Sequence, residues 1–338
     1  MGKHIVILLV LGFVFRLFLA FHAYDTLVFD SKGYSEFAKQ FLDGMWPIDC
    51  CAKNIGYGAF LAIVYALFGV ENIAAVRIVQ IVLDLVTAGM IGATAQRIFS
   101  KKAALFSLIV YLFNPFTGAF TGLVLAEAVS IFLTVFLTFL LSRPAFSTNK
   151  TLWFAFGVTA GLLLFTRHSF YYFVFAFFAV LALFVVRKIY FLPTILAGFL
   201  LASSYSLVVN YQTFGKASFV PLYNLKYEIL YLNFYRWHYP EVEFKGEHPM
   251  YREVVQGYWN MPFEWKAAHS EKYKQLLLKR LPREWPTFAT NIGWNIVWLW
   301  DKDNLYTYVD RFYPVDRWPL RILNIALITL WVIGVIRE

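Results

Sequence analysis

Charged side chains interrupt several apolar stretches of the sequence, where a charge has no ordinary role. They are Arg16, Arg77, Asp84, Glu127 and Arg167, and the last is followed by His168. A charge within a membrane-spanning helix costs on the order of a few kcal/mol, so each position is a candidate for function. Arginines can hold a phosphate group, and a carboxylate can take a proton from a hydroxyl or an amine. The set therefore favours chemistry on a lipid-linked phosphate, with an acid as general base.

Each of these residues also has a purely structural interpretation. Arg16 and Arg77 could extend their side chains to lipid headgroups. Asp84 lies two helical turns after Arg77, so it is expected to pair with a neighbouring helix rather than to act as a catalyst. His168 could simply donate a hydrogen bond to a neighbour. Glu127 is the clearest functional candidate, because it follows a break rich in proline and glycine.

The composition indicates that the elements carrying these residues lie in a membrane. The 338 residues are 60% apolar and 15% charged, with a mean hydropathy of +0.59, whereas soluble domains are about 45–50% apolar and about 25% charged. So few charges cannot cover a surface in water, and most of the surface must face lipid. The same figures exclude disorder, a collagen-like chain and nucleic-acid binding. The net charge of +9 is attributed to basic residues retained on the cytoplasmic side.

Eight apolar stretches are predicted to span the bilayer as helices, because a span needs about 20 apolar residues and none of them alternates like a strand. Their bounds are Ile5–His22, Ala74–Ile98, Ala103–Phe113, Leu123–Leu141, Leu152–Phe165, Phe170–Val186, Ile189–Val209 and Leu320–Ile336. Two shorter apolar stretches, Gly56–Gly69 and Pro286–Trp300, are predicted to be juxtamembrane helices. The expected fold class is therefore all-α and polytopic.

The basic residues of the short connections set the predicted orientation. Arg97 with Lys101, Arg143 with Lys150, and Arg187 stand in connections without acids, which marks that side as cytoplasmic. Both termini of this multi-pass cell-membrane protein are then predicted to be cytoplasmic, and all the charged positions named above except Asp84 are predicted to lie near the outer face. This divides the chain into a transmembrane module 1–210 with a first outer loop 23–73, an aromatic outer segment 211–318, and a last span 319–338.

The first outer loop supplies further acids. They are Asp25, Asp30, Glu36, Asp43 and Asp49. Apolar residues recur at helical spacing over Tyr34–Leu42, which predicts a short amphipathic helix. No metal or other cofactor is predicted: Cys50 and Cys51 are adjacent and interpreted as small apolar residues or free thiols, and His238 and His248 have no ligand spacing around them.

Six short motifs follow one another over roughly the first 225 residues. They are Asp30–Tyr34 with Ala38 and Phe41–Gly44, then Gly56–Gly69, Ala75–Arg77 with Gln80 and Arg97–Phe99, Leu125–Glu127, Gly161–Arg167, and Asn210–Gly215. Their order resembles that of the type C glycosyltransferases, in particular the protein O-mannosyltransferase and aminoarabinose transferase branch.

The resemblance implies a polyprenyl-phosphate-linked sugar donor and an active site on the outer side. By position it makes Asp30 the catalytic base, Glu127 an active-site acid and Arg167 a ligand of the donor phosphate. Arg77 and Arg16 are predicted to join the phosphate site. Three more residues are expected to contact substrate: Tyr34, His168 and Lys32. Asp30 stands without the second acid of the mannosyltransferases, so a divalent metal is not favoured, and His168 replaces the family's proline.

The predicted function is metal-independent transfer of a sugar, with inversion, from a polyprenyl-phosphate carrier to an acceptor at the outer face. The acceptor is left open among a lipid, a glycan and a protein, and so is the sugar. The alternative is a transporter or flippase of a lipid-linked glycan, which could use the same charged cavity and the helix breaks at Asn114–Gly122 and Thr166–His168. A cavity open to one side only would favour the enzyme.

Overall fold

The computed structural model describes residues 2–22, 27, 30–47, 55–184, 191–222, 225–235, 249–255, 258, 261–300, 322, 325–330 and 333. Every regular element among them is helical, which confirms the all-α fold class. Several predictions lie outside the described residues, namely those on Asp25, Asp49, Cys50, Cys51, His238, His248 and most of the last span. The chain divides into two compact units, Met1–Leu222 and Tyr223–Glu338.

The first unit contains ten α-helices within its described residues. They are α1 Gly2–Phe21, α2 Asp30–Leu42, α3 Ile55–Phe68, α4 Ile73–Ile98, α5 Lys101–Leu112, α6 Pro115–Ala119, α7 Glu127–Leu141, α8 Lys150–Thr166, α9 Tyr171–Phe184 and α10 Leu192–Phe214. Short 3-10 turns lie at Phe120–Gly122, Pro144–Ser147 and His168–Phe170. The predicted helices at Tyr34–Leu42 and Gly56–Gly69 correspond to α2 and α3.

Two described helices, α4 and α10, are long and apolar enough to cross a bilayer by themselves. A third span is formed if α5 and Pro115–Gly122, which are bent by 48° at their break, are taken together. Shorter apolar helices are Ile5–Phe21, Ile55–Phe68, Glu127–Leu141, Lys150–Thr166 and His168–Ala179. The structure thus has two or three helices of membrane length, and the full set of eight spans stays a prediction.

The break between α5 and α7 follows from its sequence. Asn114 caps α6, because its side-chain oxygen accepts from the backbone N–H of Phe116 at 2.9 Å. Pro115 occupies the first turn of α6, where a backbone N–H has no partner within the helix, so the missing N–H of proline costs no hydrogen bond. After Phe120–Gly122 the chain runs through four non-helical residues before α7 begins at Glu127. The predicted break at Asn114–Gly122 is therefore confirmed, and it extends to residue 126.

Helices α8 and α10 pack backbone against backbone through glycines. A Cβ atom on Gly157 would lie 1.9 Å from the carbonyl oxygen of Ile195, and one on Gly198 would lie 2.4 Å from that of Phe154. Small residues permit such close approach between apolar helices, where dispersion contacts replace the hydrophobic effect. The pair is thus a rigid support for the residue that follows α8, which is Arg167.

A buried ion pair joins α1, α4 and α5. The guanidinium of Arg16 contacts the carboxylate of Asp84 and donates to the carbonyl oxygens of Leu112 at 2.5 Å and Tyr111 at 3.3 Å. Tyr111 donates its hydroxyl to Asp84 at 2.5 Å. These carbonyls belong to the last turn of α5 and have no partner within the helix, and a cation is favourable at that end of a helix. Asp84 thus pairs with a neighbouring helix, as predicted.

The second unit contains α11 Lys226–Leu232, α12 Pro249–Val255 and α13 Phe263–Trp300 among its described residues. Its core includes Leu232, Val254, Tyr258, Tyr273 and Phe288. The guanidinium of Arg280 binds both oxygens of Glu284 and the hydroxyls of Tyr231 and Tyr235. The predicted helix Pro286–Trp300 is part of α13, which is kinked at Glu284 between Pro282 and Pro286.

Candidate active site

An ion pair between Glu127 and Arg167 lies where two helices of the first unit end. Their Oε1 and Nη1 atoms are 2.5 Å apart, and the side chains are 23% and 34% exposed. Glu127 is the first residue of α7 and Arg167 directly follows α8. A carboxylate is stabilised at a helix N-terminus and a cation at a C-terminus. Each charge therefore complements the helix that carries it, and both keep an accessible portion.

Asp30 acts on this pair through its charge. It is the exposed first residue of α2. Burial lowers the pKa of the Arg167 guanidinium, but the charge of Glu127, the hydrogen bond that Arg167 donates to it, and the charge of Asp30 raise that pKa by more, so it lies above its ordinary value. The structure therefore pairs Glu127 with Arg167 and places Asp30, which shares α2 with Tyr34, where its charge acts on Arg167. These are four of the eight predicted site residues.

Two buried tyrosines connect α2 to the rest of the site. Tyr34 packs edge-on against Tyr57 of α3, with ring centroids 5.0 Å apart. The hydroxyl of Tyr57 donates to the side-chain oxygen of Gln80 at 2.8 Å, and the charge of Glu127 also acts on it. Tyr57 belongs to the motif Gly56–Gly69, but the sequence predicts no role for it, because a single tyrosine in an apolar stretch does not stand out as functional.

One face of α4 binds the backbone of the helix break. Arg77 donates from Nε to the carbonyl of Gly122 at 2.9 Å. Gln80 donates to the carbonyls of Thr121 and Leu123 at 3.1 and 2.7 Å. The sequence shows both residues on one helical face, but it cannot show that this face meets residues 121–123.

None of the contacts described for Arg16 is with Asp30, Tyr34, Glu127 or Arg167. Arg16 is fully buried, and its partners are Asp84 and the last carbonyls of α5. The prediction that it binds a donor phosphate thus has no supporting contact, because its guanidinium caps a helix. Lys32 is exposed on α2.

A cleft of about 390 Å³, including space open to solvent, lies beside Arg167 in the first unit. Its polar lining residues are His168, Tyr205, Ser206 and Asn210. Its apolar lining residues are Ile55, Leu164, Phe165, Val209, Phe219, Val220 and Pro221. Tyr205 also donates its hydroxyl to the carbonyl of Pro47 at 2.6 Å and stacks on Trp46. The predicted contact residue His168 therefore faces a cavity of mixed polarity.

Within the described part of the chain, no three His, Cys, Asp or Glu side chains come together in a way that could hold a metal ion. The arrangement instead combines one accessible guanidinium with two carboxylates. Such a set can bind a phosphate and accept a proton.

The described part of the chain is all-helical, with two or three helices of membrane length and an ion pair where α7 begins and α8 ends, which is typical of a polytopic membrane protein. Residues 53–208 match the sequence model of the dolichyl-phosphate-mannose-protein mannosyltransferase family. This segment belongs to that family of polytopic type C glycosyltransferases, which confirms the resemblance seen in the motifs. No curated protein and no solved structure matches the chain.

The family establishes the general activity. The protein is a membrane glycosyltransferase of a mannosyltransferase family that uses a dolichyl- or polyprenyl-phosphate-linked sugar donor and an acceptor. The matched segment contains Arg77, Glu127, Arg167 and His168, whereas Asp30 precedes it. Family membership favours the enzyme over the transporter.

Proposed function

We propose that this enzyme transfers a sugar with inversion from a polyprenyl-phosphate donor to an acceptor hydroxyl or amine at the outer membrane face. The acceptor is a lipid, a glycan or a protein. The observation that carries the proposal is the Glu127–Arg167 ion pair with Asp30 in electrostatic range. It combines a cation for the phosphate with an exposed carboxylate for the proton.

Arg167 is assigned to the donor phosphate. A guanidinium has five N–H donors in a planar fork, and the 2.5 Å contact with Glu127 is made through Nη1. The exposed remainder of the fork suits two parallel bonds to phosphate oxygens. Charge on the leaving phosphate grows as the bond to the sugar breaks, so a cation fixed in place stabilises the transition state more than the ground state. Glu127 holds the guanidinium in the required orientation.

Asp30 is assigned the role of general base. Its carboxylate accepts the proton of the acceptor as the acceptor oxygen or nitrogen forms a bond to the anomeric carbon. The bond from that carbon to the phosphate oxygen breaks on the opposite face, and the electron pair leaves with the polyprenyl phosphate. Attack opposite the leaving group inverts the anomeric configuration. The position of Asp30 at the exposed start of α2 leaves it accessible to an acceptor from the aqueous side.

The other predicted residues take supporting roles. Arg77 binds the carbonyl of Gly122 through Nε and can support the phosphate site from the helix break. His168 lines the cleft beside Arg167, and Lys32 and Tyr34 share α2 with Asp30. Arg16 is assigned a structural role instead.

The proposal is tested with the purified protein in proteoliposomes. Polyprenyl-phosphate-mannose labelled in the sugar is supplied together with a washed membrane fraction as the source of acceptors. We expect protein-dependent release of polyprenyl phosphate, and an anomeric linkage in the labelled product opposite to that of the donor. A product that retains the donor's configuration would contradict the assignment of Asp30 as a base. Transport of intact donor without cleavage would support a flippase.

A further inference from the structure

Gln80 is a fully buried amide within the apolar helix α4. Its side-chain oxygen accepts from the hydroxyl of Tyr57 at 2.8 Å. Its nitrogen donates to the carbonyls of Thr121 and Leu123 at 3.1 and 2.7 Å. Both protons of the amide group are thus used, and every partner lies outside α4. A buried polar group with such partners fixes one arrangement of the elements that it joins.

The bonds of Gln80 lead toward both carboxylates of the site. On one side, Tyr57 packs against Tyr34, which is one helical turn after Asp30 on α2. On the other side, Leu123 is four residues before Glu127, and Arg77 binds the carbonyl of Gly122, the residue before Leu123, at 2.9 Å. The two carboxylates are therefore connected through a single amide on α4.

The helix break needs these bonds more than a regular helix would. Residues 123–126 lie outside any helix and are buried, so the carbonyls of residues 121–123 do not have the partners that a continuous helix would provide. A buried carbonyl without a hydrogen-bond partner destabilises the fold. Donors from α4 satisfy the carbonyls of residues 121–123 and thereby select one path of the chain into α7.

We infer that Gln80 is a positioning residue for the transfer reaction. It sets the separation between the general base on α2 and Glu127, the partner of Arg167 at the start of α7, without contacting substrate. The inference rests on the proposed function in one respect, which is that Asp30 and Glu127 act in the same reaction. The geometric part of it stands on the hydrogen bonds alone.

The test combines donor turnover with a distance measurement. Gln80→Met keeps the length of the side chain and removes all its hydrogen bonds, while Tyr57→Phe keeps the ring on Tyr34 and removes one bond. Thr159→Val is the matched control, because Thr159 is buried and bonds within its own helix at 2.7 Å. Spin labels on Glu36→Cys in α2 and Thr138→Cys in α7, after replacement of Cys50 and Cys51, report the separation by pulsed electron resonance.

We expect Gln80→Met to lower kcat about 10²-fold with KM for polyprenyl-phosphate-mannose unchanged, since misplacement by about 1 Å costs that much. The distance distribution should broaden, Tyr57→Phe should show both effects to a smaller degree, and Thr159→Val neither. If Gln80→Met does not fold, Tyr57→Phe decides the matter by the same readouts.

Two results would overturn the inference. One is an unchanged kcat or distance distribution in the variants of Gln80 and Tyr57, and the other is an equal loss in Thr159→Val. Failure of the proposed function looks different: the wild-type protein would then transfer no sugar, while the spin-label distances would still decide whether Gln80 sets the separation.

Discussion

Asp30 and Glu127 are both carboxylates of the site, but they differ in their surroundings. Glu127 forms an ion pair with Arg167, and this contact orients the guanidinium. Asp30 is exposed at the start of α2 and acts on Arg167 through its charge. A base must be able to reach the proton that it takes. The exposed position of Asp30 therefore suits the base, and the contact between Glu127 and Arg167 suits a supporting role.

Replacement of Asp30 tests this division of roles. Asp30→Asn keeps the shape of the side chain and removes its basic oxygen, so kcat should fall roughly 10²–10⁴-fold, the usual contribution of positioned proton transfer. Donor binding should be retained, as measured by retention of labelled polyprenyl-phosphate-mannose. Asp43→Asn, at an exposed position just after α2, is the control and should be fully active. Near-normal transfer by Asp30→Asn would remove Asp30 from the mechanism.

The phosphate assignment depends on the shape of the Arg167 side chain. Arg167→Lys keeps a positive charge beside Glu127 but replaces the fork by a point charge, so we expect a KM for donor raised about tenfold or more, the effect of one charge-assisted hydrogen bond. Arg167→Ala should be almost inactive. Arg143→Lys is the control, because Arg143 is exposed and lies over the ring of Phe139. Normal kcat and KM in both Arg167 variants would leave Arg167 a packing residue only.

Residue identities are easier to predict than their partners. The sequence singles out Glu127 and Arg167 because a charge in an apolar stretch is costly. It also indicates that Asp84 pairs with another helix. It cannot show that the partner is Arg16, since this requires α1 and α5 to lie beside α4, and side-chain spacing contains no such information. The prediction that Arg16 binds phosphate has the same origin: the sequence does not show that Arg16 contacts Asp84 and the last carbonyls of α5.

At the scale of helices, the close packing of α8 and α10 is a testable support of Arg167. Gly157→Ala would place a Cβ atom 1.9 Å from the carbonyl oxygen of Ile195, so the helices must separate. Overpacking of this kind costs about 1–3 kcal/mol. The midpoint of thermal unfolding in detergent should fall, and donor turnover should fall with it. Gly89→Ala is the control, because a Cβ at Gly89 meets no atom within 4 Å. Equal unfolding midpoints in the two variants would contradict the packing argument.

The ion pair between Lys39 and Glu71 connects α2 to the turn before α4 and gives a pH dependence. The nitrogen and the carboxylate oxygen are 2.8 Å apart. The hydrogen bond from Lys39 lowers the pKa of Glu71, and the bond to Glu71 raises the pKa of Lys39. A carboxyl group with a lowered pKa stabilises the fold above its unfolded pKa, and this stability is lost as the pH falls through the folded pKa. A lysine with a raised pKa stabilises the fold until the pH rises through that pKa.

Thermal unfolding of wild type and Glu71→Gln should therefore differ near neutral pH and converge in acid. The difference should shrink between about pH 5 and pH 3, around and below the ordinary range of a glutamate. It should be modest throughout, because both groups are exposed to solvent. Asp43→Asn, just after α2 and exposed, provides the control. A difference that grows as the pH falls would contradict the expected sign of this pH dependence.

Helix breaks are easier to predict than helix lengths. Proline and glycine at Asn114–Gly122, and the polar residues Thr166–His168, mark ends that the structure confirms. The predicted span Leu123–Leu141 instead begins at Glu127, because the carbonyls of Thr121, Gly122 and Leu123 bind α4 rather than the next turn. A tertiary contact thus removes four apolar residues from a helix that hydropathy alone would extend.

For the whole molecule, family and charge distribution give complementary information. The family match covers residues 53–208 and establishes the class of enzyme. The matched residues do not include Asp30. Asp30 is related to the site by the effect of its charge on Arg167. Two or three of the described helices are long enough to cross a bilayer. How the shorter apolar helices cross it is therefore inferred from the basic residues in the connections. The prediction that the site faces outward depends on this orientation of the chain in the membrane.

The orientation is tested with single cysteines in intact cells, after Cys50 and Cys51 are replaced. Thr148→Cys lies in the connection between α7 and α8, beside Arg143 and Lys150, and Ala217→Cys lies just after α10; both positions are exposed. Basic residues are retained in the cytoplasm because their translocation is unfavourable. A membrane-impermeant thiol reagent should therefore label Ala217→Cys in intact cells and Thr148→Cys only after permeabilisation, which is also the control for reactivity. Labelling of Thr148→Cys from outside would reverse the topology and place Asp30, Glu127 and Arg167 on the cytoplasmic face.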